Sequence, residues 1–138
     1  MADCGFWTLA RVARCLGRRS GRRKSLPALL FFTDPARTSD PEAVARALPR
    51  GAGVVYRAFG APDAIAQGRR LKAIAVRRGL VLLIGADPAL AAAVGAHGVH
   101  LPERLAGRAR ALKAARPRWI ITAAAHSEAA VRRAAREI

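Results

Sequence analysis

From Pro27 onward the chain alternates between two kinds of pattern. Short, continuously apolar runs end in polar residues, and each is followed by a longer stretch with apolar positions at helical spacing. The apolar runs are "ALLFFTDP", "GAGVVYRAF", "LVLLIGADP", "HGVHLPE" and "RWIITAAAHS". The stretches behind them are "DPEAVARALPR", "APDAIAQGRRLKAIAVRRG", "PALAAAVGA", "RLAGRARALKAARP" and "SEAAVRRAAREI". Asp40 followed by proline reads as a helix N-cap with proline in the first turn, and Gly79 as a helix terminator. Runs apolar on both sides, rather than alternating, are those of strands covered on both faces of a parallel sheet. A strand-helix unit repeated five times predicts an α/β fold with parallel (β/α) repeats and right-handed crossovers.

Residues 1–26, "MADCGFWTLARVARCLGRRSGRRKSL", follow a different pattern. Phe6, Leu9, Ala10, Ala13 and Leu16 fall on one side of a helix, and Arg11, Arg14 and Arg18 on the other. This predicts an N-terminal amphipathic helix packed on the domain, followed by the basic linker "RRSGRRK". A membrane-surface helix and an organellar transit peptide share that composition. The division expected is therefore 1–26 as basic helix and linker and 27–138 as the repeat domain.

Two architectures accept five such units: a complete, doubly wound flavodoxin-like sheet, and about five of the eight units of a TIM barrel. Both gather ligands at the C-terminal ends of the strands. The polar residues fall there: Thr33 and Asp34, Arg57, Asp87, His100 and Glu103, and His126 and Ser127.

Composition then narrows the partners. The 138 residues carry 25 Lys and Arg against 9 Asp and Glu, a formal net charge of +16. Such a charge attracts polyanions or phosphorylated small molecules. Only Lys24, Lys72 and Lys113 are lysines, an arginine bias that also fits a GC-rich coding sequence. The chain lacks interleaved aromatic and basic residues, an RNP-like string and zinc-finger spacing, which argues against nucleic acid. Cys4 and Cys15 are not spaced as a CxxC pair, which favours a reduced, cytoplasmic setting. No apolar run reaches the length of a membrane span.

The strand ends, taken in order, resemble the thiamine phosphate synthase/TenI family of (β/α)8 barrels. The resemblance rests on "LPALLFFTDP", "GAGVVYRAF", "LVLLIGADPALAAAVGAHGVHLPE" and "WIITAAAHSEAAVRRAA", and is most specific in "AVGAHGVHLPE" paired with "AAAHSEAA". It covers residues 27–138 and implies thiamine biosynthesis. The synthase joins an aminopyrimidine pyrophosphate to a thiazole phosphate with Mg2+ on the pyrophosphate. The tautomerase branch isomerises a thiazole carboxylate phosphate with a histidine as acid/base.

Carried over residue by residue, Arg57 matches the second-strand arginine that meets phosphate or pyrophosphate. His126 matches the fifth-strand histidine and is the candidate catalytic residue. Thr33, His100 and Ser127 are the remaining candidates for substrate binding. The family's metal-binding aspartate and the asparagine before it align with Ala86 and Gly85, so Mg2+ would fall to Asp87 and Glu103, both out of place. Val55, Phe59 and Ala124 replace further synthase positions. The resemblance as a whole implies a synthase-type transferase, the retained arginine and histidine fit the tautomerase branch better, and a third reading is an inactive, degenerate member with a binding or vestigial role.

Each residue also has a plainer reading. Arg57 could be a solvated arginine, His100 a hydrogen-bonded structural histidine, Glu103 a helix cap and Asp34 the turn former before Pro35. His97, at the other end of its strand, reads as a surface residue, and the helical Arg69, Arg70, Arg77, Arg78, Arg132 and Arg133 as solvated faces. The family's last three units, with a Gly-rich phosphate loop, would follow residue 138 over about 65–70 residues. The chain therefore reads as a truncated copy or fragment with open sheet edges, prone to form homo-oligomers. The alternatives from other classes are a non-catalytic flavodoxin-like binding module and a basic polyanion-binding protein.

Overall fold

The computed structural model describes residues 4–19 and 26–137. Its elements are α1 (Cys4–Arg19), β1 (Leu30–Phe32), α2 (Pro41–Ala47), β2 (Gly53–Tyr56), α3 (Ala64–Arg78), β3 (Val81–Gly85), α4 (Pro88–Val94), β4 (Gly98–Leu101), a 3-10 helix (Glu103–Arg108), α5 (Ala109–Ala115), β5 (Ile120–Ala123) and α6 (Glu128–Glu137). The start and stop signals act as their chemistry dictates. The Asp40 carboxylate accepts the Ala43 N–H at 2.9 Å, with Pro41 opening α2. Asp87 does the same for Leu90 at 2.9 Å, with Pro88 opening α4. Gly79 and Gly95 end α3 and α4 in the left-handed conformation that suits a residue without Cβ. The stretch expected to form one helix after β4 is split between the 3-10 helix and α5, with Gly107, a poor helix former, near the junction.

The five strands pair in parallel in the order β1-β2-β3-β4-β5. This order corrects the flavodoxin-like alternative. A doubly wound sheet reverses direction at a switch point, whereas here every strand lies beside its successor. Right-handed crossovers in unbroken succession place the connecting helices α2 to α5 on one face, as in a barrel wall. The sheet is not closed: among the described residues β1 pairs only with β2, and β5 only with β4.

Strand parity then sorts the side chains. Val54, Tyr56, Leu82, Ile84, Val99, Leu101 and Ile121 face the helices and join Leu48, Leu71, Ile74, Leu90 and Val94 in one core. Each fully buried Leu, Ile or Val contributes about 1.5–3 kcal/mol. Opposite-parity residues lie in register across the other face: Phe32 with Val55, Val55 with Leu83, Gly85 with His100, and His100 with Thr122.

The N-terminal helix is present, but its contact differs from the expected stripe. Ala10 is buried, whereas Leu9 is 55% exposed. The side chains of Phe6 and Leu16 lie outside the described residues, as does most of the basic linker. No described helix is long and apolar enough to cross a membrane. The helical arginines are exposed, yet not all are merely solvated. Arg70 pairs with Glu42 at 2.6 Å, Arg132 with Glu128 at 2.6 Å and Arg133 with Glu103 at 3.7 Å.

Gly98 sits where β4 and β5 approach most closely, and a Cβ there would collide with the Ile120 carbonyl. Gly107 has open space around it. Gly98→Ala is expected to lower unfolding stability by about 3 kcal/mol through forced separation of the two strands. Gly107→Ala should stay within about 1 kcal/mol of wild type. Chemical denaturation of both variants tests this, and equal midpoints would refute the close approach.

Candidate functional site at the strand ends

Arg57 follows β2 directly and is held by three elements of the β1 end. Its backbone N–H donates to the Thr33 hydroxyl at 2.9 Å, and its Nε–H to the Thr33 carbonyl at 2.8 Å. An Nη2 lies 3.5 Å from the Asp34 carboxylate. The guanidinium also stands over the Phe59 ring, 5.1 Å from its centroid, in cation–π geometry. Gly85 makes room for this arrangement, since a Cβ there would come 3.0 Å from Arg57 Cγ. The fork is thus oriented before any ligand arrives, with its remaining N–H groups available.

Thr33, expected as a substrate contact, is buried with its hydroxyl already engaged, and so acts on Arg57. Asp34 forms the expected turn, its carboxylate accepting the Ala36 N–H at 3.0 Å, and adds the ion pair to Arg57.

His126, just ahead of α6, is fixed by Glu103, which follows the neighbouring strand β4. One carboxylate oxygen of Glu103 accepts the His126 backbone N–H at 2.9 Å and contacts Nδ1 at 2.7 Å. Those two contacts depress the Glu103 pKa below the ordinary glutamate range, first through the side-chain bond and then the backbone bond. With Nδ1 engaged by the carboxylate, Nε2 is the ring nitrogen that Glu103 leaves free. The side chain is 77% exposed. Glu103 therefore orients a histidine instead of capping the helix that follows. Ser127 is the N-cap of α6, accepting the Ala130 N–H at 3.1 Å, and it does not line the cavity described next.

His100 projects from β4 on the face away from the helices. Its Nδ1 lies 2.9 Å from the Thr122 hydroxyl, and its ring meets Phe32 edge-on at 4.9 Å and 87°. Burial, and next the Arg57 charge, push its pKa below that of a free histidine, so the ring is neutral at pH 7.

Arg57, His100, His126 and Asp87 line one open cavity of about 550 Å3, together with Phe32, Phe59, Gly85, Ala86, Arg104 and Ala124. The volume is that of a small-molecule pocket. Two non-glycine residues of its rim, Phe59 (φ 49°) and Ala86 (φ 61°), adopt left-handed backbone, a strained state that recurs at functional sites. Arg104 and Phe32 had no signal of their own in the sequence, and Phe59 was marked only as a replaced family position. Phe32 is recoverable only once the register assigns it the parity of Val55, Leu83 and His100.

The two carboxylates expected to hold Mg2+ are partly engaged by the protein itself. Both oxygens of Glu103 are occupied, one by His126 and the other by Arg133 at 3.7 Å. One oxygen of Asp87 caps α4. Among the described residues no group of three or more His, Cys, Asp or Glu could hold a metal ion. Magnesium held by one or two carboxylates takes its remaining oxygens from water and substrate phosphates, so here the protein's share would fall to Asp87, whose other oxygen caps no helix N–H.

Five parallel strands wound in sequential order, with an oriented arginine and a carboxylate-bound histidine at one cavity beyond their C-terminal ends, define the class: a TIM-barrel-like α/β fold whose sheet is not closed. Residues 29–138 match the profile of the thiamine monophosphate synthase family, and the chain belongs to that family. A comparison with curated protein sequences finds no match. Among solved structures the chain is similar to thiamine phosphate pyrophosphorylase from Pyrococcus furiosus, with a TM-score of 0.69 and 24% identity. The alignment covers 83% of this chain and 57% of that one, so the chain spans little more than half the length of that protein.

His97 and His100 both have folded-state pKa values below 6.5, burial being the larger cause in each. As pH falls below about 6.5 the unfolded chain takes up protons that the folded one refuses, so stability is full above that pH and declines beneath it. Denaturation midpoints are expected to drop between pH 7.5 and 5, by up to about 1.4 kcal/mol per pH unit for each histidine. His100→Asn should flatten the decline; an unchanged profile would mean that His100 is not held neutral.

Proposed function

We propose that the chain binds a thiazole phosphate of thiamine biosynthesis at the strand-end cavity and acts in the manner of the tautomerase branch. Arg57 receives the phosphate, and His126 moves a proton between ring positions. The observation that carries this reading is that Arg57 and His126, separated by three strands in the chain, line the same cavity. A pre-oriented guanidinium fork matches phosphate oxygens in bidentate fashion. A histidine whose Nδ1 is bound to carboxylate can accept a proton at Nε2 and return it elsewhere on the substrate. Isomerisation of this kind needs no pyrophosphate clamp, which accords with the occupied oxygens of Glu103.

The polyanion-binding alternative draws on the +16 charge, but several exposed arginines are engaged by Glu42, Glu128 and Glu103. The cavity offers a more specific use of charge than a diffuse surface. A cytoplasmic setting and a homo-oligomer held through the open sheet edges belong to the same proposal.

Isothermal titration with thiazole phosphate tests the binding half. Arg57→Ala is expected to weaken affinity about tenfold or more, as loss of a charge-assisted hydrogen bond does, with Arg57→Lys in between. Equal affinity in wild type and Arg57→Ala would remove Arg57 from the site. In a tautomerisation assay His126→Ala should cost about 10²–10⁴-fold in rate, and Glu103→Gln less. EDTA should leave both binding and rate unchanged; loss of either would return the reading to metal-dependent synthase chemistry.

A further inference from the structure

At the opposite end of the sheet, Lys72 of α3 meets His97, the residue before β4. The Lys72 Nζ lies 3.1 Å from His97 Nε2, while His97 Nδ1 accepts the Leu82 backbone N–H at 2.9 Å. His97 is therefore not the surface residue its position implied. It is half-buried and completes the hydrogen bonding of β3 where the ladder to β4 has not yet begun.

This geometry fixes the protons. An Nδ1 that accepts from an amide carries no hydrogen, so in the neutral ring the hydrogen is on Nε2. Turning the ring over would put a carbon against the Leu82 N–H, and charging it would set N–H against N–H. An Nε2–H aimed at Nζ needs an acceptor, and a lysine nitrogen accepts only as the neutral amine. The surroundings agree. Lys72 is half-buried and forms no ion pair among the described residues. The neighbouring β3 and α4 carry no charged residue, and on α2 Glu42 is committed to Arg46 and Arg70. On α3 itself Arg69, one turn away, opposes a second positive charge. Burial lowers the Lys72 pKa.

We infer that Lys72 is a nucleophilic amine at neutral pH and a site of covalent modification by small aldehydes. After one rotation of the side chain away from His97, the amine lone pair attacks the carbonyl carbon. A C–N bond forms, a proton passes from nitrogen to the former carbonyl oxygen, and loss of water, taking the second N–H proton, leaves the imine. The site is distinct from the strand-end cavity and does not depend on the activity proposed for it.

The three lysines of the chain provide internal controls. The full-length protein is treated with dilute formaldehyde and cyanoborohydride from pH 6 to 10, and methylation of Lys24, Lys72 and Lys113 is followed by peptide mass spectrometry. Lys72 is expected to react several-fold faster than the other two at pH 7, since an amine held uncharged by its contact with His97 needs no prior deprotonation. Its rate should level off at a lower pH than theirs. A Lys72 rate equal to or below that of Lys113 at pH 7 overturns the inference. His97→Asp, which puts a carboxylate beside the amine, is expected to bring the Lys72 rate down to that of the controls. A preference unchanged in that variant overturns the role given to His97.

Discussion

The parallel ladder in sequential order is the constraint on which every other feature depends. Each strand lies beside its successor, so each helix must cross back over the same face. One face of the sheet is thereby committed to helix packing and the other is left for side chains of opposite parity. The core of Val54, Leu82, Ile84, Val99 and Leu101 against Leu71, Ile74 and Leu90 follows from that commitment. So does the placing of Phe32, Arg57, His100 and His126 around one cavity. Because strand side chains alternate with a period of two, a slip of one residue in any strand would exchange these two sets.

Within that frame the candidate site is assembled by pairs of neighbours, each ordering the other. Thr33 and Asp34 at the end of β1 hold Arg57 at the end of β2. Glu103 after β4 holds His126 after β5. His100 and Thr122 do the same across adjacent strands. Arg57, His100 and His126 therefore each have a partner one strand away, and their preorganisation comes from sheet adjacency. The same arrangement engages the carboxylates. Glu103, which could have met a metal, is spent on orienting histidine and arginine side chains.

The opposite end of the sheet shows the same economy with a different outcome. His97 completes the hydrogen bonding of Leu82, and in doing so fixes its own tautomer and the state of Lys72. A buried backbone donor must be satisfied, and the side chain recruited to satisfy it acquires a defined protonation as a consequence. Two histidines three positions apart, on either side of Gly98-Val99, thus serve unrelated purposes, because they sit toward opposite ends of one strand.

The repeat of apolar runs and amphipathic stretches determined the five strand-helix units, because burial on both faces and burial on one face leave different periodicities. Asp40, Asp87, Gly79 and the prolines marked helix boundaries, since capping is local chemistry. The wording of the strand ends also carried the family. Pairing order was not legible, because a doubly wound sheet and a barrel wall share the same local pattern and differ only in which strands touch. Nor could the sequence assign Thr33 to Arg57, Glu103 to His126 or His97 to Lys72. Those contacts join residues 23 to 25 positions apart, and they exist only once neighbouring strands come into register.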